Sequence, residues 1–179
     1  KAVRARDVAD FEKMYRIINN DPQNEILWVP AAAVKKIQKA RYAEMVLHEM
    51  WCVANLRIKS VEIQGDSAAV RFHHPESRIQ FEHPWPRPMV TKDGHNSAFY
   101  LTNAMELLDE PGEWYHDIES RKIYYYPRKG EKISKAVVPG IETLVWVEGT
   151  IDRPVKHIRF DNIAFQYTTW MRPSLQGHV

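Results

Sequence analysis

The chain has 179 residues, 44% of them apolar and 27% charged. At that length it can bury roughly 70% of its unfolded surface, so neither a metal nor a disulfide is needed for folding. Its 25 basic and 23 acidic residues leave a net charge of +2. Acids and bases interleave, as in "EKISK" and "ESRK", so there is no basic stripe to release counterions from a phosphate backbone, and no nucleic-acid partner is expected. A lone cysteine, Cys52, excludes an internal disulfide. No apolar run approaches the ~20 residues of a membrane span, and no membrane partner is expected.

The first predicted element is a helix over "DVADFEKMYRIIN", where Val8, Phe11, Met14, Tyr15 and Ile18 recur at helical spacing behind an Asp7 N-cap. "NNDPQN" breaks it. "ILWVP" reads as a short buried strand ending at Pro30. "AAAVKKIQKA" returns to helix, with Ala33, Val34, Ile37 and Ala40 on one side. Two strands follow, "AEMVLHEMWCV" and "NLRIKSVEI". In the second, alternation breaks between Ile58 and Val61, the mark of a bulge or twist. "QGDS" is a turn and "AAVRFHH" a third strand. A helical opening followed by a strand meander reads as α+β.

Pro84, Pro86 and Pro88 interrupt the pattern between His83 and Gly94. This stretch divides the chain into an accessory region, 1–90, and a second region, 91–179. "NAMELLDEPGEW" reads as a short helix. "EWYHD" and "KIYYYP", separated by "IESR", form a hairpin. Side chains alternate along it: Trp114 and His116 share one face, Tyr115 and Asp117 the other. The hairpin either packs one aromatic face on a core or offers a platform for sugar rings. "ETLVWVEGT" and "VKHIRFDNIAFQYTTW" read as short strands with corners, in the manner of a solenoid turn.

The stretch "NAMELLDEPGEWYHDIESRKIYYYPRKGE", followed by the two segments just quoted, resembles the bacterial glycoside hydrolases of the pectate-lyase-like, right-handed parallel β-helix superfamily. The likeness runs through Asn103-Ala104, Leu108 to Tyr115, Asp117, Tyr125 to Pro127 and Asn162 to Phe165. "HPWPRP" and the preceding strands resemble an α/β insertion. The resemblance implies an α+β chain: an accessory domain with a helix pair and a strand meander, then a hairpin and the opening rungs of a parallel β-helix. It also implies a secreted or periplasmic protein that cleaves glycosidic bonds of plant or microbial polysaccharide. The catalytic carboxylates would lie on later rungs, outside this chain, so no catalytic residue is assigned. The rival reading is a non-catalytic carbohydrate-binding or structural module. The partners expected are an oligo- or polysaccharide and the remainder of the parent β-helix, together with self-association of this piece.

Candidate chemistry within the chain is sparse. Glycoside hydrolysis needs two carboxyl groups about 5–10 Å apart. Glu113 and Asp117 share a strand face but stand roughly 13 Å apart at Cα. Asp109 and Glu110 sit where a turn is expected. His48 and Glu49, like His73 and His74, are adjacent on strands and point to opposite sides, so neither pair clamps a metal. No metal or cofactor is expected. Cys52 follows Trp51 with no neighbouring base to activate it. Beyond the last predicted strand, Trp170, Arg172 and His178 are the candidate saccharide contacts. A tryptophan face stacks on a sugar ring, and arginine bonds hydroxyls or a uronate carboxylate.

Overall fold

The computed structural model describes residues 12–84 and 86–169. They fall into two compact units, 12–131 and 132–169. The first is built on seven antiparallel strands: β1 (Tyr15–Arg16), β2 (Asn19–Asp21), β3 (Ile26–Pro30), β4 (Glu44–His48), β5 (Val53–Gln64), β6 (Ser67–Phe72) and β7 (Ala98–Thr102). They lie in the order β1-β7-β4-β5-β6-β3-β2. The two edge strands are consecutive pieces of one chain, separated only by Ile17 and Ile18. At ~3.3 Å per residue, that spacing brings the two edges together.

Ile17 and Ile18 join those edges. The Ile17 amide donates to the Ser97 carbonyl beside β7 at 3.0 Å, and the Ile18 amide donates to Trp28 of β3 at 2.6 Å. One short strand thus pairs with both edges, and the sheet curls round on itself. Closure satisfies backbone groups that an open edge would expose. A second bend falls in β5, where the register shifts between Ile58 and Ser60. The first half of β5 pairs with β4 and the second with β6. The predicted bulge is therefore a corner of the barrel.

The strands alternate about this interior. Leu27 and Val29, Met45 and Leu47, Ala54, Leu56 and Ile58, and Ala68, Val70 and Phe72 face one core with Ile17 and Phe99. Helix α1 (Ala31–Val34) and the following 3-10 turn (Lys35–Ile37) cover it with Val34 and Ile37. β5 and β6 meet in the two-residue turn Gly65–Asp66, where Gly65 has φ +61°, as such turns require. Helix α2 (Glu76–Glu82) follows β6. It is tied to β5 by Arg57, whose guanidinium grips the buried Glu76 carboxylate through Nε and, at 2.8 Å, through Nη2.

A separate hairpin, β8 (Trp114–Asp117) and β9 (Lys122–Tyr125), has the predicted pairing, with Trp114 opposite Tyr125 and Tyr115 opposite Tyr124. Its turn is held by Asp117, whose carboxylate accepts from the Glu119 and Ser120 amides and from the Ser120 hydroxyl at 2.6 Å. Tyr115 is buried, whereas Trp114 and Ile123 on the other face are exposed.

Two expectations are overturned. The predicted helix from Asp7 gives way, from Tyr15 onward, to the closing strands; its first part lies outside the described residues. More broadly, the expected α+β chain ending in parallel β-helix rungs is replaced by a mostly antiparallel fold with few, short helices, and no parallel β-helix is present among the described residues. Residues 132–169 form no strand. Their apolar side chains are exposed, Ile151 at 97% and Trp146 at 76%. An alternating pattern becomes a strand only when a partner edge and a surface to bury against are available. This unit supplies neither.

Candidate functional site

A cleft of about 640 Å³ lies beside the closing strand. Asn19 and Asn20 of β2 form one side, and Gln80 and Glu82 at the end of α2 form another. The far wall is a ledge that carries Pro86, Arg87 and Pro88. The ledge is stitched to the barrel. The Met89 amide donates to Ser97 Oγ at 3.0 Å and the Thr91 amide to Asn96 Oδ1 at 2.7 Å. Asn96 Nδ2 in turn donates to the Ile17 carbonyl at 2.8 Å. The residue that closes the sheet therefore also anchors the cleft wall.

Asn20 has a defined orientation. Its Nδ2 donates to the Pro88 carbonyl at 3.3 Å, which leaves Oδ1 as an acceptor. That oxygen is buried and has no hydrogen-bond partner among the described residues. A buried polar atom left unmet is costly, so a hydroxyl or water is expected to complete it. Gln80 Nε2 donates to Glu49 at 2.8 Å. Amides, a guanidinium and proline rings together suit a polyol with apolar C–H faces.

Behind this site, Glu49 also takes the Cys52 thiol, with Sγ 3.0 Å from Oε2. Burial, followed by the Glu49 carboxylate, pushes the thiol up to about 12. Its thiolate is therefore scarce. Alkylation of Cys52 by iodoacetamide at pH 8, followed by mass spectrometry, should run at least about a hundredfold slower than for an ordinary cysteine, and Glu49→Gln should speed it. Alkylation at the free-cysteine rate would contradict the Glu49 contact.

The remaining sequence candidates are scattered. Glu113 is buried, and its carboxylate accepts the Asp109 and Glu110 amides at 3.0 and 2.9 Å, holding the turn before the hairpin. Hydrogen bonds from Ser120 hold Asp117 below the usual carboxylate range. His48 packs against Tyr100 with ring centroids 5.8 Å apart and the ring planes tilted by 42°, and burial lowers its pKa. His73 and His74 lie beyond the end of β6. Among the described residues no three His, Cys, Asp or Glu side chains group to hold a metal ion. Trp170, Arg172 and His178 lie outside the described residues. Asn19 and Asn20 carry a local signal for a turn, and nothing in the local pattern marks them as cleft residues. The proline cluster was the one visible sign of the cleft.

The profile of the GH141 insertion domain matches residues 1–128. The chain belongs to this insertion-domain family. A solved structure described as "Glycoside hydrolase" is 70% identical, with a TM-score of 0.87 over 100% of this chain and 32% of its own length. The chain thus spans about a third of the glycoside hydrolase that it matches. No curated protein matches it. For a GH141 insertion domain, the cleft beside the closing strand offers an unmet Asn20 acceptor and a guanidinium, that of Arg87. The match supports the expected link to glycoside hydrolases. Nothing in it indicates the pectate-lyase-like solenoid.

Proposed function

We propose that this insertion domain serves a secreted or periplasmic glycoside hydrolase by holding plant or microbial polysaccharide, with the catalytic carboxylates supplied by polypeptide outside this chain. The observation that carries the proposal is the cleft between β2, α2 and the proline ledge, with the Asn20 acceptor held in place and unmet. The carboxylates weighed as acids or nucleophiles support it by contrast: Glu113 and Asp117 are engaged in holding turns. The exposed apolar side chains of residues 132–169 fit a surface that the rest of the enzyme covers, and in isolation they would drive self-association.

Calorimetric titration of the chain with cell-wall oligosaccharides tests the proposal. Binding in the micromolar to millimolar range is expected, weakened about tenfold by Asn20→Ala, the scale of one buried hydrogen bond. Circular dichroism melting of the variant separates lost binding from lost folding. Unchanged affinity in a folded Asn20→Ala chain would remove the cleft from the proposal. Turnover of aryl-glycosides by the purified chain, abolished by a carboxylate substitution, would overturn the accessory role itself.

A further inference from the structure

The cleft carries one cation that no carboxylate answers. Arg87 lines it and has no ion-pair or hydrogen-bond partner among the described residues. Glu82, the acid lining the same cleft, is matched by Arg78 at 3.0 Å, one helical turn away. The wall therefore presents a guanidinium whose charge is not cancelled locally.

The backbone beneath Arg87 is unusually constrained. Pro86 and Pro88, on either side, are both buried, while Arg87 between them is exposed. A proline ring fixes its own φ, and a residue before proline is confined to extended conformations. The Pro88 carbonyl is further held by Asn20 Nδ2. Little backbone freedom is left to lose when the guanidinium engages a ligand.

Two complementary groups thus line one cleft: the Asn20 Oδ1 acceptor, suited to a hydroxyl, and the Arg87 fork, suited to a planar anion. A hexuronate carries both partners, ring hydroxyls and a carboxylate of the geometry that arginine binds bidentately. A neutral hexose would leave the guanidinium unanswered. We infer that the cleft selects uronic-acid-bearing oligosaccharides, with Arg87 as the specificity-determining residue. This rests on the cleft being a saccharide site.

The test is calorimetric titration of the whole 179-residue chain with three probes: trigalacturonate, the corresponding neutral galactose trisaccharide, and its sulfated form. Wild type, Arg87→Gln and Arg87→Lys are compared. The wild type should prefer the uronate to the neutral sugar by about five- to tenfold, a modest factor because the guanidinium is open to water. Added salt should shrink that preference. Arg87→Gln should abolish it, and Arg87→Lys should restore only part of it. Equal affinity of the wild type for acidic and neutral probes would overturn the uronate assignment and leave the saccharide cleft standing. Binding of none of the probes would overturn both. A preference that survives Arg87→Gln would move specificity away from Arg87, and tighter binding of the sulfated probe would replace uronate by sulfated sugar.

Discussion

Ile17→Ala should cost about 3 kcal/mol of folding stability, while the same truncation at Ile18 should cost less than about 1 kcal/mol, as judged by urea denaturation of the chain. The neighbours differ in where they point. Ile17 is 1% exposed and Ile18 43%. Ile17 reaches the core shared by both halves of the sheet, alongside Leu27 on one edge and Phe99 on the other. Its loss leaves a cavity where few atoms can relax inward, since the walls are hydrogen-bonded strands. The effect should also reach the cleft, because the Ile17 carbonyl holds Asn96 and Asn96 holds the ledge at Thr91. Equal costs at Ile17 and Ile18 would show that residues 15–21 do not close the sheet.

Arg57→Ala is expected to destabilise the chain by about 3 kcal/mol, because it strips the partner from a buried carboxylate. Glu76 is fully buried at the start of α2. Arg57 meets it with two nitrogens and spends a further bond on the His74 carbonyl at 3.0 Å. Part of the guanidinium remains in water, which puts the cost near the lower end of the range for such pairs. Removing both charges by Arg57→Met with Glu76→Leu should recover most of the loss, since the pair itself contributes little net stability against an apolar replacement of similar shape. The functional reading is in the same helix. α2 delivers Gln80 and Glu82 to the cleft, so Arg57→Ala should weaken oligosaccharide binding in step with stability. A double variant no more stable than Arg57→Ala would show that the carboxylate is not the source of the cost.

Much of the strand plan was legible along the chain. β3, the β5 bulge, the Gly65 turn and the tyrosine hairpin each depend on residues within a few positions of one another. A period of two, a glycine able to take positive φ and an Asp that bonds its own turn act locally. In the opening segment Met14, Tyr15 and Ile18 suit helical spacing. Tyr15, Arg16 and Ile17 also alternate apolar and polar as a strand does, and periodicity over so few positions does not choose between the two. Two open sheet edges made the choice, by offering hydrogen bonds on both sides of the chain. The far end erred in the opposite direction. Val145, Val147, Ile158, Phe160, Ile163 and Phe165 alternate as strand residues do, yet residues 132–169 form no strand.

The candidate site was the least legible part. Asn19 and Asn20, the end of α2 and the proline ledge are separated by up to about seventy residues, and no motif links them. Their convergence follows from closure of the sheet, which brings the strand next to Ile17 against a ledge hung from Asn96. The sequence by itself determined which segments can be strands and where they turn, because local backbone preference and side-chain alternation are written residue by residue. Only the tertiary structure decided that the sheet closes, that the opening segment is its seam, and that two asparagines and an arginine line one cleft, because pairing between distant edges is set by which backbone groups would otherwise remain unsatisfied.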